Sequence, residues 1–253
     1  MPLEPIASKP MLEILLEDNH CLAVNKPAGL LAQGDETGEI SLVDEAREYI
    51  RAKYQKPGNV FIGLVHRLDR PTSGVTLLAR TSKGADRLAA QFRDGSVEKV
   101  YWAIVEGNLE GESGEWHDTL LKDERRNVVS IVPPGTPGGK PAGLGYRVLG
   151  TTAGRTWLEV RPVTGRSHQI RVQLAERGFP IVGDRKYGAT STLLASDGGG
   201  RVALHAQSIT FRHPTRPESI SVVASVPADW PSSRFSTKEG PSGSSMPGAF
   251  PGP

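Results

Sequence analysis

The sequence predicts an α+β fold, a large mixed and mostly antiparallel sheet with a few flanking helices. Short β-favouring runs outnumber helical stretches, eight against three, and the two kinds do not alternate as strand-helix-strand units do. One run, 99–105, is apolar at both parities (Val100, Trp102 and Ile104; Tyr101, Ala103 and Val105), as befits a strand covered on both faces and central in its sheet. The 253 residues, 37% of them apolar, can bury a full core.

In chain order, residues 1–10 carry Pro2, Pro5 and Pro10 and read as a loose lead-in, and the folded body is expected over 11–230. Strand 21–25 stops at Lys26-Pro27, because proline cannot donate to a ladder. Residues 41–53 follow as a helix with Leu42, Ala46, Tyr49 and Ile50 on one face. Strand 61–67 runs into a Pro-Thr-Ser-Gly turn and strand 75–79 leaves it. A helix over 83–93, with Ser82 as its N-cap, gathers Ala85, Leu88, Ala89 and Phe92 on one face. Beyond the central strand come a glycine-rich loop at 135–145, then strands 144–149 and 156–161. A third helix, 168–177, follows Ser167 and ends at Gly178. A second glycine-rich loop at 196–200 precedes strands 202–211 and 219–224. Neither loop joins a strand to a helix as a phosphate-binding loop must, so no nucleotide cofactor is expected. In 231–253, 15 of 23 residues are Pro, Gly or Ser, too little apolar surface to offset the entropy of ordering, and the tail is expected to be disordered.

The net charge of +2 is unevenly placed, with 6 basic against 10 acidic residues in 1–60 and 19 against 14 in 61–187. Such an excess is compatible with a polyanionic partner without establishing one. A single cysteine, Cys21, excludes an intrachain disulfide framework and a cysteine-rich zinc site, and no HExxH spacing occurs, so no metal is expected. The first thirty residues lack the apolar core of a signal peptide, and no apolar stretch is long enough to span a bilayer. A cytoplasmic protein without a membrane partner follows as the expectation.

Three segments hold side chains suited to chemistry. In 63–74, a strand delivers His66, Arg67 and Asp69 into a polar turn; taken alone, Asp69 reads as an Asx-turn former ahead of Pro71. In 164–173, a strand ends at Thr164-Gly165 and a helix begins, with His168, Arg171 and Ala175 on one face. Its N-terminal amides, flanked by Arg166 and His168, would suit a phosphate, and Arg171 a carboxylate. In the central strand, Tyr101 is either a core residue with a tethered hydroxyl or the wall of a cleft on which a planar base stacks.

Together these segments resemble the RluA-type pseudouridine synthases. His66-Arg67-Leu68-Asp69 followed by Thr72-Ser73-Gly74 is similar to that family's signature around its catalytic aspartate. Asn25-Lys26-Pro27-Ala28-Gly29, the Lys99-x-Tyr101-x-Ala103-x-Val105-x-Gly107 strand and Thr164-Gly165-Arg166-x-His168-Gln169-Ile170-Arg171 match further motifs. Gly183-Asp184 with Tyr187-Gly188, and Leu204-His205-Ala206, follow in the family's order. The six ordered segments cover roughly 12–225, which makes chance a poor explanation where HRLD alone would be weak.

The resemblance implies a pseudouridine synthase fold with a central cleft and isomerisation of uridine in ribosomal RNA, or in tRNA, to pseudouridine. Asp69 would be the nucleophile, Tyr101 the platform for the flipped base and Arg171 the partner of Asp69. Arg67, His66, Arg166, His168 and Leu204 would contact substrate, Arg67 in the gap left by the base and Leu204 on the base's opposite side. The reaction is redox-neutral, so neither metal nor nucleotide cofactor is implied. The family often carries an N-terminal S4 RNA-binding domain; residues 1–10 are too short for one, so a stand-alone, monomeric catalytic domain is expected to bind RNA through its own body. A non-catalytic RNA-binding protein that kept the fold is the alternative, but it would not require the Asp69, Tyr101 and Arg171 set.

Overall fold

The computed structural model describes residues 12–152, 154–194, 199–230 and 236–237. Among them, twelve strands form one sheet, flanked by three α-helices. One wing holds β1 (Glu13–Glu17), β2 (Cys21–Lys26), β3 (Gly63–Leu64) and β4 (Ser73–Ala79), with α1 (Leu42–Tyr54) and α2 (Ser82–Asp94). The other holds β5 (Glu98–Glu106), β6 (Ser113–Asp123), β7 (Val128–Val132), β8 (Lys140–Thr152) and β9 (Arg155–Pro162), with α3 (Gln169–Ala175). Between them runs β10 (Leu204–Arg212), with β11 (Ser219–Val223) at its side and β12 (Ser236–Thr237) beside β8. The main order is β1-β2-β4-β10-β5-β9-β8-β6-β7, which puts β5 at the centre as its two-sided apolar pattern predicts.

The first wing is a three-layer packing. Leu22, Val24 and Leu78 point to one face and bury against Leu42, Ala46 and Ile50 of α1. Cys21, Ala23 and Leu77 point to the other and meet Leu88 of α2. Strands with period-2 alternation can only be apolar on both faces when both are covered. Helix α1 starts where Ser41 caps it, the Ser41 hydroxyl accepting from the Asp44 amide while the Asp44 carboxylate accepts from the Ser41 amide.

The wings join through the one parallel strand pair of the sheet, β4 against β10. Ser73 sits opposite His205 and Gly74 opposite Ala206. Gly74 has φ +115, and a β-carbon there would stand 2.2 Å from the Ala206 carbonyl oxygen. Gly74→Ala therefore combines backbone strain with a clash between two main chains, and a loss of about 3 kcal/mol or more is expected in urea unfolding.

His205 pins the same seam. It is fully buried; its Nδ1 lies 2.8 Å from the Ser73 hydroxyl and its Nε2 3.3 Å from the Ala224 carbonyl. A carbonyl only accepts, so Nε2 carries the proton and Nδ1 accepts from Ser73. Burial pushes the imidazole down to about 4, against a smaller opposing pull from the Ala224 carbonyl. The unfolded chain takes up this proton below about pH 6.5 and the folded chain only below about pH 4, so acid favours unfolding. The contribution is complete above pH 6.5 and lost on the way to pH 4, about 3 kcal/mol in all. Urea titrations at pH 7 and pH 4.5 should show that loss in the wild type and a smaller one in His205→Gln.

Several expected elements differ from the structure. Strand 61–67 shrinks to Gly63–Leu64, because beyond it the Leu77 amide donates to His66 Nε2 at 2.8 Å, where a ladder partner would otherwise accept. The N-cap of α2 is Thr81 rather than Ser82: its hydroxyl accepts from the Gly84 amide at 3.1 Å and its backbone is extended. Residues 140–145, expected in a glycine-rich loop, begin β8 instead. There Gly143 accepts from the Val163 amide and from Gln169 Nε2. Strands β1, β6, β7 and β12 were not expected; the first half of β6 alternates between exposed and half-buried positions and has no apolar run to mark it. The lead-in 1–10 lies outside the described residues, as does most of the glycine-rich stretch 196–200. So does the tail 231–253, apart from the two residues of β12.

Candidate active site

A cleft opens on one face of the sheet beside the seam, where the turn before β4 and the segment entering α3 lean over β5 and β10. Asp69 is brought there by a turn that its own backbone closes, with the Thr72 amide donating to the Asp69 carbonyl at 3.0 Å. The carboxylate makes no Asx bond to that turn and points to Arg171 instead. The turn is held from below by Lys26. Its buried ammonium donates to the carbonyls of Pro27 at 2.9 Å, Leu30 at 2.8 Å and Arg70 at 3.3 Å. Burial pushes this amine down to about 7, while the nearby Asp69 charge pulls it up.

Arg171 lies on α3, 102 residues along the chain from Asp69, and donates from Nη1 to the Asp69 carboxylate at 3.0 Å. The rest of its guanidinium is clamped by Asp184, Nε at 2.7 Å and Nη2 at 2.8 Å, a bidentate pair that fixes the plane of the fork. Side-chain exposure is 5% for Arg171, 1% for Asp184 and 23% for Asp69. Arg171 and Asp184 are thus buried, while Asp69 is partly exposed, and both Asp69 and Arg171 line the cleft. Burial opposes the charge of Arg171, but Asp184 and then Asp69 raise its pKa above the ordinary value, so it stays a cation.

His168 introduces α3 with a left-handed backbone, φ 51, and makes no capping bond. The expected helix 168–177 is therefore the seven-residue Gln169–Ala175. Ahead of it, the Arg166 amide donates to Gln169 Oε1 at 3.1 Å. Gln169 also accepts from the Thr164 hydroxyl at 2.7 Å and donates to the Gly143 carbonyl at 2.9 Å, which ties the whole turn to β8. The His168 ring places Nε2 4.0 Å from the Asp69 carboxylate and Nδ1 2.7 Å from the Tyr187 hydroxyl.

Tyr101 and Leu204 form the floor of the cleft, from β5 and β10. The Tyr101 hydroxyl makes no hydrogen bond among the described residues, and its ring packs against the core while lining the cleft. Burial first, and the Asp69 charge second, push the phenol up, which keeps it protonated. Arg67 and Arg166 are exposed on the rim; Arg166 donates to the Pro141 carbonyl at 3.0 Å, and Arg67 has no ion pair among the described residues. His66 does not reach the cleft. Its ring stacks on Phe92 at 4.5 Å, its Nε2 is taken by Leu77, and burial pushes it down to about 3, so it is a neutral structural residue.

The cleft thus gathers Asp69, Tyr101, Arg171, Arg67, Arg166, His168 and Leu204, and omits His66. Sequence reasoning attached no role to Asp184 or Tyr187, although both stand in the Gly183-Asp184 and Tyr187-Gly188 segment that matched in order. The signal available was an aspartate flanked by Gly183 and basic residues; its burial is visible only in three dimensions. Among the described residues one cluster of potential metal ligands occurs, Asp18, Cys21 and His213, and its carboxylate and imidazole are engaged in hydrogen bonds. Asp18 accepts from the His20 and Cys21 amides at 2.7 Å each and from His213 and Arg216, and His213 Nδ1 accepts from the Thr215 and Arg216 amides.

Among the described residues no helix is long and apolar enough to cross a membrane. The model of the RNA pseudouridylate synthase family matches residues 20–176. The ribosomal large subunit pseudouridine synthase C of Vibrio cholerae is 36% identical over 217 residues, covering 85% of this chain and 66% of its own. An uncharacterized RNA pseudouridine synthase of Bacillus subtilis, YhcT, is 36% identical over 221 residues, covering 86% and 70%. The chain spans just under two thirds of the length of the Vibrio relatives it matches. Among solved structures, human RNA pseudouridylate synthase domain containing 4 superimposes with a TM-score of 0.72 at 25% identity, covering 86% of this chain and 90% of that one. The family model, these relatives and the α+β sheet agree: the chain belongs to the RNA pseudouridylate synthase family.

Proposed function

We propose that this chain isomerises uridine in structured RNA to pseudouridine, with ribosomal RNA as the first substrate to test and tRNA as the second. The observation that carries the reading is the Asp69 carboxylate, partly exposed in a cleft and held at 3.0 Å by a buried, doubly clamped Arg171. A carboxylate so oriented suits a nucleophile, which must be ionised, fixed and reachable. The isomerisation breaks the N1–C1′ bond and forms a C5–C1′ bond; the C5 proton leaves and N1 gains one, so no oxidant or group donor is needed. The uracil must leave its stack to be reached, and Tyr101 offers a ring on the cleft floor for it, with Leu204 beside it. Arg67, exposed on the rim and without an ion pair among the described residues, suits the gap that the flipped base leaves, and Arg166 a neighbouring phosphate. The choice of ribosomal RNA is supported by what the Vibrio cholerae relative's name says of that protein.

The test is to incubate the purified chain with unmodified ribosomal RNA and tRNA transcripts and to map pseudouridine by chemical labelling. New sites in ribosomal RNA are expected. RNA binding without a new pseudouridine on either transcript would overturn the reading in favour of a binding protein that kept the fold.

A further inference from the structure

The contacts of His168 contain an assignment that the family likeness does not. The Val129 amide donates to the Tyr187 hydroxyl oxygen at 3.0 Å, and a backbone N–H can only donate. The phenolic hydrogen then has one acceptor among the described residues, His168 Nδ1 at 2.7 Å. If Nδ1 carried the proton instead, that phenolic hydrogen would be left without a partner in a half-buried site, which costs about 1–3 kcal/mol. The remaining ring nitrogen, Nε2, faces the Asp69 carboxylate at 4.0 Å. We propose that Tyr187, itself bound by the Val129 amide of β7, is a positioning residue that fixes the His168 tautomer, so that a neutral Nε2–H is presented to Asp69.

The surroundings explain why a neutral donor is maintained there. The groups facing the ring are Asp69 from the turn before β4, Arg171 from α3, and Asp184, Lys186 and Tyr187 from the segment after it. Burial, first of these influences, lowers the His168 pKa; Asp69 and, more weakly, Asp184 oppose it, and Arg171 and Lys186 reinforce it. A second cation beside Arg171 is thereby avoided, while the Nε2–H dipole faces the carboxylate. At 4.0 Å the contact is an electrostatic one, longer than a hydrogen bond. The Tyr187 ring also lies under the Arg171 guanidinium at 5.1 Å, so Tyr187→Phe removes only the hydroxyl and keeps that stacking.

The proposal rests on the reading of Asp69 as nucleophile for its consequence, but not for its observable. Nitrogen-15 NMR of the histidine-labelled protein, with His168 assigned by its loss in His168→Asn, reads the tautomer directly. A protonated Nε2 and a bare Nδ1 are expected in the wild type at pH 7.5; a protonated Nδ1 would overturn the assignment whatever the activity. In Tyr187→Phe the single tautomer should be lost, and kcat on the modified RNA should fall about tenfold with KM within about twofold. The acid limb of its pH–rate profile should lie at higher pH than the wild type's, since protonating Nδ1 no longer displaces a phenolic hydrogen. Wild-type kcat and an unmoved profile in Tyr187→Phe would overturn the positioning role. Should that variant not fold, the wild-type spectrum alone decides the tautomer. An inactive wild type with the expected spectrum would sink the nucleophile reading and leave the tautomer standing.

Discussion

Asp69→Asn is expected to lower turnover on the order of 10⁴-fold while RNA affinity stays within about threefold of the wild type. The amide has the carboxylate's shape but neither its charge nor its nucleophilicity. Binding is spared because Asp69 is an anion in a site for a polyanion, and removing it relieves repulsion from the phosphates. Stability should change by less than about 1 kcal/mol, because the Asp69 side chain is 23% exposed and Arg171 keeps Asp184 when Asp69 is gone. Pseudouridine formed per enzyme on a mapped site, with filter binding and thermal unfolding alongside, checks all three. Turnover within tenfold of the wild type would remove Asp69 from the chemistry.

The second large effect falls on a residue that touches no substrate. Asp184→Ala leaves the Arg171 guanidinium buried with two of its donors unpaired, and a loss of about 3–5 kcal/mol is expected, about 10 °C in melting temperature for a domain of this size. Turnover should fall with it, because a guanidinium no longer held by Asp184 can rotate and engage Asp69 with both arms. Arg171→Ala should cost a similar amount of stability for the mirror-image reason, a carboxylate at 1% exposure stripped of its cation. The diagnostic is the contrast with Asp69→Asn. One end of the same charge chain should be silent in a melt and the other should not. A melting temperature within about 2 °C of the wild type in Asp184→Ala would refute the clamp.

Much of this architecture could be read without coordinates because period and punctuation carry it. The central place of β5 follows from apolar residues at both parities, and the existence of α1 from Leu42, Ala46, Tyr49 and Ile50 on one face. Asp69 and Arg171 were legible as candidates because their motifs are local runs of residues. His66 shows the limit of that kind of reading. It stands three residues before the nucleophile candidate and reads like a site residue, yet its ring is spent on the Leu77 amide and Phe92. Likewise the glycines at 143 and 145 suggested a loop, and the pairing of β8 with β6 and β9 overrode that local preference.

The sequence by itself determined which residue types the chain can bring to chemistry, that the central strand is covered on both faces, and roughly where the three helices lie. It could not determine that the Asp69 carboxylate turns away from its own turn, nor that Asp184 is the residue that locks Arg171. Nor could it show that Tyr187 reaches the far side of the His168 ring. Those facts depend on separations of 13 to 102 residues closing to hydrogen-bond distance. Periodicity reports which face of an element is buried, but the packing of one element against another selects the partner there. That selection is made by the close β4–β10 seam at Gly74, which brings the Asp69 turn over the sheet face that carries Tyr101.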